Sequence, residues 1–262
     1  MNTLEQLRTA VRGKKLLLLG PSGSGKGNRS KDLEALGLTH VGLGAMMREH
    51  VRSDPDSELS SRIIETTKSG TLLPDDVVAP IVLDYLHRKE CKENGFVLEG
   101  FPRTKAQADF LLSKIDIDIA FLLQVPKAFL LDGIMKFNRR SCIECGTTYS
   151  DFDMPEREGV CDKCGNDLIR RMSDNLERVK TRLKIYEDEI ETFLSDFEAK
   201  GIVQELHITV GDDETIDDKY CKKLKGEIFF VETDGGRRAR MLNYDGMRNR
   251  LYRILEQRFG IQ

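Results

Sequence analysis

KKLLLLGPSGSGKGNRSKDLEAL, residues 14–36, sets an apolar run, a glycine-rich turn and a helical pattern in immediate succession. The leucine run ends in glycine within a few residues, which suits a buried strand and is too short for a buried helix. Gly20, Gly25 and Lys26 then fit G-x-x-x-x-G-K. Glycines let a backbone curl so that successive N–H groups face a phosphate, the helix N-terminus adds its positive dipole, and the lysine reaches the outer phosphates. The Ser or Thr that commonly follows this lysine is absent; Gly27 and Asn28 stand there, so the usual hydroxyl seat for Mg2+ is replaced by an amide oxygen.

Working outward, FVLEG (96–100), IDIAFLLQV (117–125) and IVQELHI (202–208) read as further strands, with helical patterns at 44–51, 59–67, 74–89, 104–113 and 127–140. Strands alternating with helices at this spacing predict an α/β fold, a parallel sheet flanked on both faces by helices. Asp174 with Glu177 reads as a capping box opening a helix whose apolar residues, from Leu176 to Phe197, recur by three and four. The segment 211–240 is less orderly. EIFFVE and the turn DGG there predict a surface insertion of two strands near the sheet edge, with a last strand at 238–246 and a closing helix from Met247.

Composition narrows the class. A formal charge of -3 gives no bulk attraction to nucleic acid or an anionic membrane, so any arginines serving an anionic ligand must be gathered locally. No apolar run approaches the roughly 20 residues of a membrane span, and the N-terminal residues show no export signal. We expect a cytoplasmic monomer with an N-terminal helical extension at residues 1–13.

Four of the six cysteines fall together. Cys142-x2-Cys145 and Cys161-x2-Cys164, fifteen residues apart, have the spacing of a structural zinc site. Four thiolates close a tetrahedron and leave no position for substrate. An iron–sulfur cluster is the weaker alternative, and disulfides suit a reducing compartment poorly. A segment of this length with little apolar content needs such a metal to fold. Cys91 and Cys221 stand alone and read as ordinary thiols.

LEGFPRTKAQA, residues 98–108, places Glu99 at the C-terminal edge of a strand, where open parallel sheets bind ligands, with Arg103 just beyond a Phe-Pro turn. With GPSGSGKGN, GAMMREHV, SGTLLPDDVV, GVCDKCG and RRMSDNLERVKTRLKIYE, the chain resembles the adenylate kinases over about residues 14–208, in the long form with a four-cysteine zinc lid. The resemblance implies a P-loop three-layer core (14–140 and 171–262), a helical monophosphate-binding insert (42–73), a zinc lid (141–170) and an unassigned insertion at 211–240.

It implies reversible phosphoryl transfer from ATP to AMP giving two ADP, with Zn2+ structural and Mg2+ accompanying ATP. Lys26, Arg103, Arg139, Arg171 and Arg182 would be catalytic, and Glu99 would order Mg2+-bound water. Gly20, Gly23, Ser24, Gly25, Lys26, Gly27, Asn28, Arg139, Thr148 and Tyr149 would hold ATP. Leu43, Gly44, Arg48, Thr71, Leu72, Leu73 and Gly100 would line the AMP site. Phe101, Pro102, Arg103, Gln107, Arg171 and Arg182 would complete it.

Departures from the family pattern leave alternatives open. Leu43 replaces a polar contact to base or sugar, Glu99 stands for Asp, and Ser173 for an acid. A base-stacking arginine is missing, with Gly133 or Met135 in its place. Another nucleoside monophosphate as acceptor, or a catalytically weak nucleotide-binding regulator, therefore stand beside the leading reading.

Overall fold

A computed structural model describes residues 3–135, 137–142, 144–152, 154–170 and 174–261. Arg171, Ser173 and the side chains at 132–135, with the Gly133/Met135 position, lie outside the described residues.

Helix α1 (Thr3–Val11) buries Leu7 and Val11 on the core. Strand β1 (Lys15–Leu19) leads through the glycine loop into α2 (Lys26–Ala35), and β2 (Thr39–Gly42) follows. Next come α3 (Leu43–Ser53), α4 (Glu58–Ser69), α5 (Asp75–Leu86) and α6 (Lys89–Asn94). Strand β3 (Phe96–Glu99), α7 (Lys105–Lys114), β4 (Ile119–Gln124) and α8 (Lys127–Met135) complete the first part of the core. Helix α8 is shorter than the pattern at 127–140 suggests, because Arg140 already pairs with Tyr149 in a small sheet of β5 (Arg140–Cys142), β6 (Thr148–Tyr149) and β7 (Leu168–Ile169). This sheet carries the four clustered cysteines' segment.

The long helix α9 (Leu176–Ala199) follows, then β8 (Val203–His207). Its cap corrects the sequence reading: Asn175, not Asp174, is the N-cap and accepts from the Glu177 N–H at 3.0 Å. Asp174 is buried instead against Arg139.

The parallel sheet runs β2-β3-β1-β4-β8. Alternation along KLLLL explains its two cores. Leu17 and Leu19 join Leu98 and Leu122 on one face, covered by Met46, Val82, Phe193 and Phe197. Leu16 and Leu18 join Val97 and Phe121 on the other, covered by Leu7, Leu33, Leu251 and Leu255. Each such side chain, buried to 0–5% exposure, contributes about 1.5–3 kcal/mol.

The 211–240 insertion holds more than the two strands expected. A 3-10 turn (Asp218–Tyr220) precedes one ribbon of β9 (Lys223–Leu224) and β10 (Glu227–Ile228) and a second of β11 (Phe230–Glu232) and β12 (Arg238–Arg240). The last strand is therefore three residues long, and the closing helix α10 (Tyr244–Phe259) starts before Met247, capped by Asn243. Among the described residues no helix is long and apolar enough to cross a membrane. Cys91 and Cys221 are buried thiols of the core.

Candidate active site

The turn after β1 is held by close packing. A Cβ on Gly20 would stand 3.0 Å from Ser24 Oγ and 3.1 Å from Leu123 Cβ, and the backbone there has φ +146°. Gly25, φ +91°, caps α2 in the left-handed region that glycine tolerates best. Lys26 begins α2, and its ammonium bends back over the loop, donating to Gly20 O at 2.5 Å and Pro21 O at 2.7 Å. Burial lowers its pKa from 10.5 to about 8; Glu99 opposes the fall, while Arg103 and Arg139 add to it. Gly23, Ser24, Gly27 and Asn28 line the same cavity, of ≈ 950 Å3.

Glu99 closes β3, facing the loop. Its Oε2 accepts from Ser30 Oγ at 3.1 Å, and its Oε1 lies 3.6 Å from His40 Nε2. Burial pushes this carboxyl up, but His40, Lys26 and the Ser30 hydroxyl together pull it below the ordinary glutamate range, so it stays ionised. Neither Ser30 nor His40 was singled out from the sequence. Ser30 had a legible signal, since it stands one helical turn beyond Lys26 on the same face; His40 had none, because β2 itself went unread.

Arg48, Arg103, Arg139 and Arg182 converge on this cavity. Arg103 Nε donates to Gly100 O at 2.7 Å. Burial, helped by the charge of Arg182, brings its pKa down to about 10. Burial likewise lowers Arg48 and Arg182, with Arg139 adding its repulsion to the latter. Arg139 is oriented by a buried two-pronged pair: Nε donates to Asp174 Oδ2 at 3.0 Å and Nη2 to Oδ1. Four guanidiniums and an ammonium held this close, each with its charged form disfavoured or paired, form a site that an anion relieves.

Leu43, Gly44, Thr71, Leu72 and Leu73 also line the cavity, with Gly100, Pro102 and Arg103. Gly44 packs closely there: a Cβ would come within 3.3 Å of Arg48 Nη1. Gln107 lines the cavity but is already engaged. Its Oε1 accepts from the Arg103 N–H at 2.8 Å, and its Nε2 donates to Asp75 Oδ1 at 2.6 Å, which leaves one N–H and one lone pair for a ligand. Phe101 corrects the expectation. Its side chain is 1% exposed in the core and does not face the cavity, because the Phe101-Pro102 turn points the ring into the sheet's packing.

The cysteine segment roofs one side, with Thr148 and Tyr149 on the cavity wall. Its two turns repeat one geometry. The Gly146 N–H donates to Cys142 O and the Gly165 N–H to Cys161 O, while Cys142 N–H and Cys161 N–H donate to Thr147 O and Asn166 O. The four sulfurs lie within 4.8 Å of one another, with Cys142–Cys164 at 3.4 Å and Cys145–Cys161 at 3.5 Å. Tetrahedral zinc at ~2.3 Å from each sulfur needs sulfurs about 3.8 Å apart, so the group fits Zn2+ with no open position.

A glycine loop opening a helix at the edge of a parallel sheet, a buried lysine over it and a ring of arginines across the same cavity define a P-loop phosphotransferase acting on nucleotides. The sequence model described as adenylate kinase matches residues 18–202. The chain is similar to the adenylate kinase of Desulfitobacterium hafniense (strain DSM 10664 / DCB-2), 37% identical over 198 residues covering 73% of this chain and 89% of that protein. It is also similar to that of Caldicellulosiruptor bescii, 36% identical over 210 residues, 78% of this chain and 94% of the relative. That of Clostridium beijerinckii is 36% identical over 199 residues, 73% and 90%. The chain belongs to the adenylate kinase family and is a nucleoside monophosphate kinase.

Proposed function

We propose that this enzyme transfers the terminal phosphoryl group of ATP to AMP, reversibly, giving two ADP, with both nucleotides held in one cation-lined cavity. The observation that carries this reading is the convergence of Lys26, Arg48, Arg103, Arg139 and Arg182 on that cavity, with Glu99 the carboxylate shared by Lys26, Arg48 and Arg103. Such a surplus of buried positive charge has no role in folding and suits two phosphate chains meeting end to end.

The loop N–H groups of Gly20 to Gly27 hold the donor phosphates, with Lys26 swinging from its carbonyl anchors to the outer ones. Arg48 and Arg103 hold the acceptor phosphate, and Arg139 and Arg182 neutralise charge on the group in flight; the family resemblance adds Arg171. Transfer is in line and needs no covalent enzyme intermediate, so orientation and charge neutralisation supply the catalysis. Glu99, ionised in the wall beside the loop, would hold a hydrated divalent cation together with the Asn28 amide, and Mg2+ there would neutralise phosphate charge.

The cysteine subdomain acts as a lid that excludes water from the phosphoryl group, with Zn2+ supplying the fold that its sparse apolar content does not. Residues 42–73 form the acceptor insert, and adenine is the acceptor's base, held at the remaining N–H and lone pair of Gln107. The enzyme works as a cytoplasmic monomer on free nucleotides.

Calorimetric titration with a bisubstrate dinucleotide, two adenosines joined by five phosphates, tests the shared cavity. One molecule should bind per chain and compete with both ATP and AMP. Competition with only one of them would contradict a single cavity, and tight binding without measurable ADP production would favour a regulator.

A further inference from the structure

The 211–240 insertion touches the lid through an aromatic cluster that the catalytic reading leaves unused. Phe129 on α8, Phe137 in the connector to the lid, Phe152 in the lid and Phe229 in the insertion pack ring against ring. Phe152 sits centrally: its centroid is 4.5 Å from Phe137, 5.0 Å from Phe229 in an edge contact and 5.9 Å from Phe129. Lys222, also from the insertion, places Nζ 4.8 Å from the centroid of the same ring.

The insertion is itself fixed to the core, independently of the lid. Lys222 N–H donates to Met241 O at 2.7 Å and Lys127 N–H to Asp234 Oδ1 at 3.0 Å, while Phe229 N–H donates to Lys222 O at 2.8 Å within the insertion. Val231 is buried at 7% exposure in the same core face. Phe129, Phe152 and Lys222 also line the cavity. A lid that opens must pull Phe152 out of this socket.

We propose that the insertion is a latch for the lid: Phe229 and Lys222 are positioning residues that hold Phe152, and with it Arg139 and Tyr149, over the donor nucleotide. This rests on the reading of the cysteine subdomain as a lid. The contacts are of the kind whose loss changes an equilibrium several-fold. An edge-on aromatic pair is worth up to about tenfold, and a cation over a ring about two- to fivefold.

Relaxation-dispersion NMR of the nitrogen-15-labelled, zinc-loaded full chain without nucleotide reads the open and closed lid populations from the amides of β6. Phe229→Ala should lower the closed-to-open ratio by about tenfold and raise the KM for ATP by a similar factor. The KM for AMP should change less. Phe152→Ala, which leaves the insertion intact but also removes the contacts with Phe137, Phe129 and Lys222, should shift the ratio at least as far, and the double variant no further than Phe152→Ala alone. Lys222→Met should give about a threefold shift.

Populations unchanged in Phe152→Ala and Phe229→Ala would overturn the latch. So would additive shifts, or a fall in core melting temperature in Phe229→Ala with Phe152→Ala silent, which marks a merely structural prop. The NMR readout needs no turnover. Loss of the kinase reading would show as absent ADP production with the latch intact, and loss of the latch as normal production with unaltered lid exchange.

Discussion

Replacing Lys26 by Met removes the charge of the phosphate loop while keeping the stem. The ammonium is anchored on Gly20 O and Pro21 O and faces the cavity's arginines, so its positive charge is poised for the transferred phosphates. A preorganised donor of this kind is worth about 3–4 kcal/mol in the transition state, so turnover should fall by a hundredfold or more. The fold should survive. Displacing the pKa from 10.5 to about 8 means that keeping this lysine charged at neutral pH costs the free enzyme about 3 kcal/mol. The charged ammonium is thus a net cost to the free fold, so Met at this position should leave the melting temperature unchanged or slightly raised. Steady-state ADP production and a thermal melt on one preparation provide both numbers. Turnover within about threefold of the parent would remove Lys26 from the mechanism, and a variant that does not fold would refute the electrostatic accounting.

Four further outcomes follow from the same geometry. Because Lys26 in the free enzyme titrates near 8 and bound phosphate raises that value, nucleotide affinity should be level below about pH 7.5. Above about pH 8 it should fall by up to tenfold per pH unit, and the fall should vanish in Lys26→Met; calorimetry across pH checks this. The stability linkage runs the other way. Between about pH 8 and 10.5 the unfolded lysine holds more protons than the folded one, so its penalty is full below pH 8 and is relieved as pH rises through that window. Purified protein should carry about one zinc per chain; chelation should release the protection of the Cys142 and Cys161 amides against hydrogen exchange while β1 stays protected. Asp174→Asn leaves Arg139 without its buried partner, so we expect about 3 kcal/mol of destabilisation by denaturant melt and a loss of turnover.

The sheet was legible where burial writes itself as a continuous apolar run, at β1, β3 and β4; β8 was read between Gly201 and Gly211 although only Leu206 of its five residues is buried. Strand β2 was not, because THVG lies at the sheet edge with only Val41 and Gly42 buried and carries polar residues elsewhere. The zinc group and the phosphate loop were legible for a related reason: their chemistry fixes residue type and spacing locally. Partnerships across the fold were hidden. Asp174 reads as a cap because its neighbours form a capping pattern, and only the tertiary contact with Arg139 assigns the cap to Asn175. In the same way Asp75 gives no local sign that it will engage both Thr104 and Gln107. The aromatic socket joins residues up to a hundred positions apart from four separate segments, so no periodicity records it.

The most direct test of the account is a coupled assay of the purified, zinc-loaded protein with ATP and Mg2+ against AMP, GMP, CMP and UMP in parallel. The account predicts ADP formation with AMP well above that with the other three. No transfer to any of them, or a clear preference for a base other than adenine, would contradict it.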